Sequence, residues 1–224
     1  MKNSEDRAFF TVCDIAERDL DYLTDLRDRI KKPPCALPPE EIDAIRRLYI
    51  RVFVTMVEGS VAAIKNVILH YSEQLNDAER AVLRDVTFDL NEKGVPYERP
   101  LRPPILSSLK FAFRIFASVH KLSIVPDYRS SGWQAMKNVI ELRNRLTHPK
   151  TPNDLKVTDT DLKSVDEAEI WLRDNHGSLL KAQIMELKTE LATYSDLHIT
   201  PSSSAATPCV ASASPPCAVP DPAF

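Results

Sequence analysis

Apolar residues recur along this chain at spacings of three and four, the period of a helix with one face turned toward a core. Between about Ser4 and Lys31, Phe9, Val12, Cys13, Ala16, Leu20, Leu23, Leu26 and Ile30 keep that period, and Pro33-Pro34 end it. Pro38-Pro39 open a second helix, about Glu40 to Glu73, as proline does in a first turn. From Leu48 to Val57 this helix is apolar on most sides, which predicts a central element touching several others. The β-branched residues there permit a strand, but length and the flanking periodicity favour helix. Asn76 with Glu79 predicts a capped start for a third helix, about Asp77 to Lys93, with Gly94 as its stop. Pro96, Pro100, Pro103 and Pro104 then predict a stiff loop.

A fourth helix, about Ile105 to Leu122, carries Leu109, Phe113, Phe116 and Val119. A fifth begins at Ser130-Ser131-Gly132 and aligns Trp133, Met136, Ile140 and Asn144 along a face. It stops near His148, because the residue before Pro149 is biased away from helix. Thr158 with Asp161 caps a sixth, running to about Tyr194 with an expected break near Asn175-His176-Gly177. The pattern is therefore all-α: a bundle of five or six helices over residues 1–198. From about Ile199 to Phe224 the chain turns to Ser, Ala and Pro with Asp221 its only charge, a composition expected to stay disordered.

Composition narrows the picture. At 224 residues and 43% hydrophobic, the chain is long enough for one sizeable core. A formal net charge of −3 makes any general electrostatic grip on nucleic acid weak, so such a role needs a local basic site. The charged start lacks the apolar core of a signal peptide. Arg51, Glu58 and Lys65 interrupt the longest apolar run, so no membrane span is expected. Cys13, Cys35, Cys209 and Cys217 form no C-x-x-C pair and read as reduced cytoplasmic thiols. Four glycines leave no phosphate-cradling loop.

The densest chemistry is Arg143-Asn144-Arg145-Leu146-Thr147-His148, an R-N-x-x-x-H string against Pro149. A guanidinium fork matches phosphate oxygens, and imidazole moves protons near neutral pH. The same residues at a helix end also suit the negative pole of its dipole. Asn144 and His148, four apart, share a helix face, so the amide is placed to fix the imidazole tautomer. Arg143 lies about 140° round the helix from His148 and about 7.5 Å along it. Convergence therefore needs a distorted helix end, the reach of the long arginine stem, or a second subunit across a twofold axis.

On these residues the chain resembles the HEPN-domain proteins, an all-helical group whose signature is Arg, usually Asn, then His four to six residues beyond the Arg. The apolar helix ending in Val57-Glu58-Gly59 is similar to the helix that carries an acidic residue in several HEPN groups. The likeness spans about Arg46 to Lys150, with a motif-bearing core of about 40–195. It implies a HEPN-like bundle and a metal-independent endoribonuclease without cofactor, working as a homodimer whose paired motifs line one cleft. His148 would serve as general base or acid on the ribose 2′-OH and the leaving oxygen. Arg143 would stabilise the pentavalent phosphate, and Asn144 would orient His148 or the phosphate. A toxin or defence effector, held by a cognate antitoxin or regulatory protein, is the role such kinship suggests. The alternative is a non-catalytic HEPN-like dimer that binds nucleotide, RNA or a partner protein.

Supporting roles are open at three positions. Glu58 either pairs with Arg143 or Arg145 or faces solvent. Arg145 and Lys150 either hold flanking phosphates or are solvated cations. His70, His120, His176 and His198 lie too far apart for a zinc motif. Trp133 and Trp171 are placed in the core rather than as base-stacking platforms.

Overall fold

The computed structural model describes residues 18–29 and 37–198. Among these the architecture is all-α with one small hairpin. Helix α1 covers 18–29, α2 Pro39–Leu69, α3 Asp77–Leu83, α4 Ile105–Val119, α5 Ser131–Thr147 and α6 Asp159–His198. Short 3-10 turns occupy Ser72–Gln74 and Pro152–Leu155, and strands β1 (Val86–Leu90) and β2 (Pro96–Pro100) form an antiparallel pair. The chain divides into two compact units, Met1–Glu186 and Leu187–Phe224. Of the second, only the helical residues 187–198 are described.

Helix α2 is central, as its all-round apolar stretch predicted. Tyr49, Ile50, Phe53, Val54 and Val57 are buried, and the helix packs on α3, α4 and α5. Leu48 escapes to the surface. By length and composition alone α2 is apolar enough to cross a membrane despite Arg51, Glu58 and Lys65. The mostly buried core helix of a soluble protein can share that length and composition. Leu109, Phe113, Phe116 and Val119 of α4 and Trp133, Met136 and Ile140 of α5 complete the core with α2. Arg27 ties α1 to α2 and α6, donating to the Tyr49 hydroxyl at 2.9 Å and to the Asp166 carboxylate.

The third predicted helix is the main correction. Its cap is present: the Glu79 N–H donates to Asn76 Oδ1 at 2.9 Å and the Asn76 N–H to Glu79 Oε2 at 3.3 Å. The helix stops at Leu83, and Asp85 turns into the left-handed region at φ 54°. Val86-Thr87-Phe88-Asp89-Leu90 alternates rather than repeating every three or four, and it pairs with Pro96–Pro100, the segment expected to be a stiff loop. Gly94, expected as a helix stop, instead supplies the φ of +72° for the hairpin turn. Its N–H donates to the Asn91 carbonyl at 2.9 Å.

A smaller correction concerns α6, which runs unbroken through Asn175-His176-Gly177. One glycine costs a helix only about 1 kcal/mol, and the Asn175 amide bonds back to the Trp171 carbonyl at 2.7 Å. Cys13, Cys35, Cys209 and Cys217, the apolar positions before residue 18, Pro33-Pro34 and the tail from Ile199 all lie outside the described residues.

Candidate functional site

Helix α5 enters the site well anchored. Ser130 caps it, its hydroxyl accepting from the Trp133 N–H at 3.4 Å. Trp133 and Trp171 are buried against one another with ring centroids 5.0 Å apart, as core residues. At the other end, three arginines of α2 hold the segment that follows. Arg51 donates to the Leu146 carbonyl at 3.1 Å, Arg47 to that of Leu155 at 3.4 Å and Arg46 to that of Val157 at 3.1 Å. The Leu146 carbonyl, left over by the end of α5, is thereby satisfied without a glycine cap.

Arg143 and Glu58 meet in an ion pair across α5 and α2, so of the two arginines suggested for Glu58 it takes Arg143. Both line a cavity of about 680 Å³ together with Asn144, Lys65, Asp85, Arg102 and Ser108, closed on one side by Pro100–Leu106. Lys65 is buried, at 4% exposure, and pairs with Asp85. Ser108, also in the lining, is 6% exposed.

Arg145 faces elsewhere. Its Nη1 donates to the carbonyls of Asp154 (2.9 Å), Lys156 (3.1 Å) and Asn153 (3.4 Å), binding the turn Pro152–Leu155 to α5. Asp154 completes that turn by accepting the N–H groups of Lys150 and Thr151, each at 2.8 Å. The Thr151 and Lys150 N–H groups hold its carboxyl below the usual carboxylate range. Among the described residues Lys150 contributes this backbone bond alone, and it is exposed.

His148 is the C-cap of α5, at φ −126° and ψ 60°. Its N–H donates to the Asn144 carbonyl at 3.0 Å. The imidazole is exposed, outside the cavity lining and without a hydrogen bond to a described residue, including the Asn144 amide. The helix stays regular to Thr147, so Arg143 and His148 remain on different sides of it, as helical geometry requires. Within one chain the structure thus gathers Glu58, Arg143 and Asn144. It leaves His148 and Lys150 outside the cavity and commits Arg145 to the neighbouring turn.

Lys65, Asp85, Arg102 and Ser108 were not singled out as site residues. A signal existed for Lys65, which lies seven residues, or two turns, beyond Glu58 on one face of α2. Asp85 depends on the unforeseen hairpin, and no local pattern marks Arg102 or Ser108. Among the described residues no group of three His, Cys, Asp or Glu side chains is arranged to hold a metal ion. Compared with family models, curated proteins and solved structures, the chain matches none.

Proposed function

We propose that this protein is a cytoplasmic, metal-independent endoribonuclease of HEPN type, acting on RNA at a site composed across two copies of the chain. One observation carries the reading. The final turns of α5 present Arg143 and Asn144 in a cleft with Glu58, and an exposed imidazole at His148 immediately beyond, without a hydrogen bond among the described residues.

His148 takes the proton from a ribose 2′-OH, whose oxygen attacks the adjacent phosphorus. The P–O5′ bond breaks, leaving a 2′,3′-cyclic phosphate, and the departing 5′-oxygen takes up the proton that the His148 imidazolium then gives back. Arg143 stabilises the charge of the pentavalent phosphate, and Asn144 orients that phosphate. Glu58 holds the guanidinium in place until a phosphate displaces it. Because Arg143 and His148 stand on different sides of α5, the arginine serving a given imidazole belongs to the partner copy. Resemblance alone suggests the wider role, a toxin or defence effector restrained by an antitoxin or regulatory protein.

The Glu58–Arg143 pair also favours a second reading, a non-catalytic binder of nucleotide, RNA or protein, since it already neutralises the principal cation. The deciding experiment incubates purified protein with RNA in excess chelator, beside His148→Ala, Arg143→Ala and an all-deoxy substrate. Cleavage by the wild type alone, ending in cyclic phosphate, supports the nuclease. Equal cleavage by wild type and variants refutes it. RNA binding without cleavage selects the binder.

A further inference from the structure

The hairpin has two unlike outer edges. Hydrogen bonds from Asn91 N–H to the Val95 carbonyl (3.1 Å) and from Leu101 N–H to the Asp85 carbonyl (2.7 Å) bracket its ladder and fix its phase. With Asp89 opposite Tyr97 and Thr87 opposite Arg99, those two pairs bond inward. The backbone groups of Val86, Phe88 and Leu90 on β1, and of Pro96, Glu98 and Pro100 on β2, therefore point away from the hairpin. On β2 two of the three outward positions are prolines, which have no N–H, and the third is a charge. That edge is blocked against further pairing. On β1 the outward positions are apolar and can donate, and the Phe88 and Leu90 side chains are 60% and 65% exposed. A lone two-stranded ribbon of this kind is marginally stable in water.

We infer that the edge of β1 left unpaired among the described residues pairs antiparallel with β1 of a second copy, about a twofold axis through Phe88, to make a continuous four-stranded sheet. The self-register is complementary at every position. Val86 faces the partner's Leu90 and Phe88 faces the partner's Phe88, so one surface is wholly apolar along the new seam. On the opposite surface Thr87 faces the partner's Asp89, a hydroxyl beside a carboxylate. The central Phe88 pair exchanges two backbone hydrogen bonds. The Leu90 N–H, now held by its neighbour Asp89 at 2.9 Å, exchanges that bond for the partner's Val86 carbonyl. Pairing β2 with itself would instead set Glu98 against Glu98 with prolines on both sides. A second copy is thus the occupant that the edge fits.

This pairing stands on the strand and not on the nuclease reading. Its consequence for the RNA site does rest on that reading. Asp85, which lines the cavity of Arg143 and Asn144, begins the turn into β1. At ~3.4 Å per residue it lies roughly 10 Å from the axis, so the two Asp85 positions stand roughly 20 Å apart along the paired strands.

Sedimentation or light scattering over a concentration series tests the pairing. The wild type is expected at twice the chain mass. Phe88→Pro removes the central outward N–H without touching a β1–β2 bond, and Phe88→Lys places a like charge across the axis. Both should be monomers with unchanged helical circular dichroism. Amide exchange on the unmutated protein gives a second measure: the Phe88 N–H should be protected at high concentration and lose protection on dilution. A wild type that stays monomeric at all concentrations overturns the inference. So does a dimer that survives both substitutions, or a Phe88 N–H whose exchange ignores dilution. RNA cleavage is scored separately on His148→Ala, so a failure of the nuclease reading is distinguishable from a failure of the pairing.

Discussion

Gly132 and Gly59 should respond in opposite directions to the same substitution. Gly132 sits in the first turn of α5, where an added Cβ would lie 2.6 Å from the Trp171 Cβ and 3.0 Å from its Cγ and Cδ1. Carbon atoms prefer about 3.5–4.0 Å, so α5 and α6 would have to separate locally by roughly 1 Å. Trp171 has little room to yield. Its ring stacks with Trp133 and Tyr128, and its Nε1 donates to the Asp127 carbonyl at 3.1 Å. Overpacking of this kind costs about 1–3 kcal/mol. Alanine's better helix propensity returns at most about 1 kcal/mol, and less in a first turn. Gly132→Ala should therefore destabilise by about 1–2 kcal/mol, lowering Tm by roughly 2–8 °C for a chain of this size. Around Gly59, inside α2, nothing lies within 4 Å of an added Cβ. Gly59→Ala should gain up to about 1 kcal/mol of propensity and raise Tm by roughly 2–4 °C. Parallel thermal melts decide it. A Gly132→Ala protein as stable as Gly59→Ala would refute the close α5–α6 contact.

Further predictions concern the site and pH. Glu58→Gln should change stability by no more than about 1 kcal/mol, since the pair with Arg143 is half-exposed and screened. Its effect on RNA cleavage or RNA affinity should be the larger one, and a chemical melt run beside the RNA assay separates the two. Arg145→Ala removes a donor shared by three carbonyls and should cost about 1–3 kcal/mol, more than Arg143→Ala, as read by urea denaturation. Burial depresses the pKa of His176 from its ordinary 6.5. The unfolded chain therefore binds the proton more readily. This group's contribution is intact above about pH 6.5 and falls away as pH drops from there toward the folded value. His176→Gln should flatten that part of the stability profile, and an unchanged profile would contradict burial as the cause.

Periodicity located the helices because each buries a stripe, and burial is what a three-to-four repeat records. The Asn76–Glu79 and Thr158–Asp161 caps were legible because their bonds are local. The hairpin was missed because Phe88, Leu90 and Tyr97 are largely exposed, so its alternation marks no core face and Gly94 read equally well as a helix stop. In the site, Glu58, Arg143 and Asn144 come together from elements the pattern predicted. Lys65–Asp85 does not, because it needs the left-handed turn at Asp85. The opposite fates of Arg143 and Arg145, two residues apart, follow from the helix: a 200° rotation sends one to the cavity and the other to the Pro152–Leu155 turn.

That rotation also shapes how the string Arg143–His148 can act. Arg51, Arg145 and Asp154 fix the end of α5 and the turn beyond it, so the helix has no slack with which to swing His148 toward Arg143. On the proposed nuclease reading, such anchoring holds the reacting groups in place while a second copy supplies the arginine. Glu58 fits the same logic. A carboxylate occupies the fork of Arg143 much as a phosphate would, keeping a half-buried cation satisfied while the cleft is empty. A phosphate entering the cleft must outcompete that carboxylate, which favours ligands bringing several charges at once, as a polynucleotide does. On the proposed nuclease reading, free inorganic phosphate should therefore compete poorly with RNA for this cleft. If millimolar phosphate displaced RNA as effectively as a second RNA, Glu58 would not be guarding the arginine.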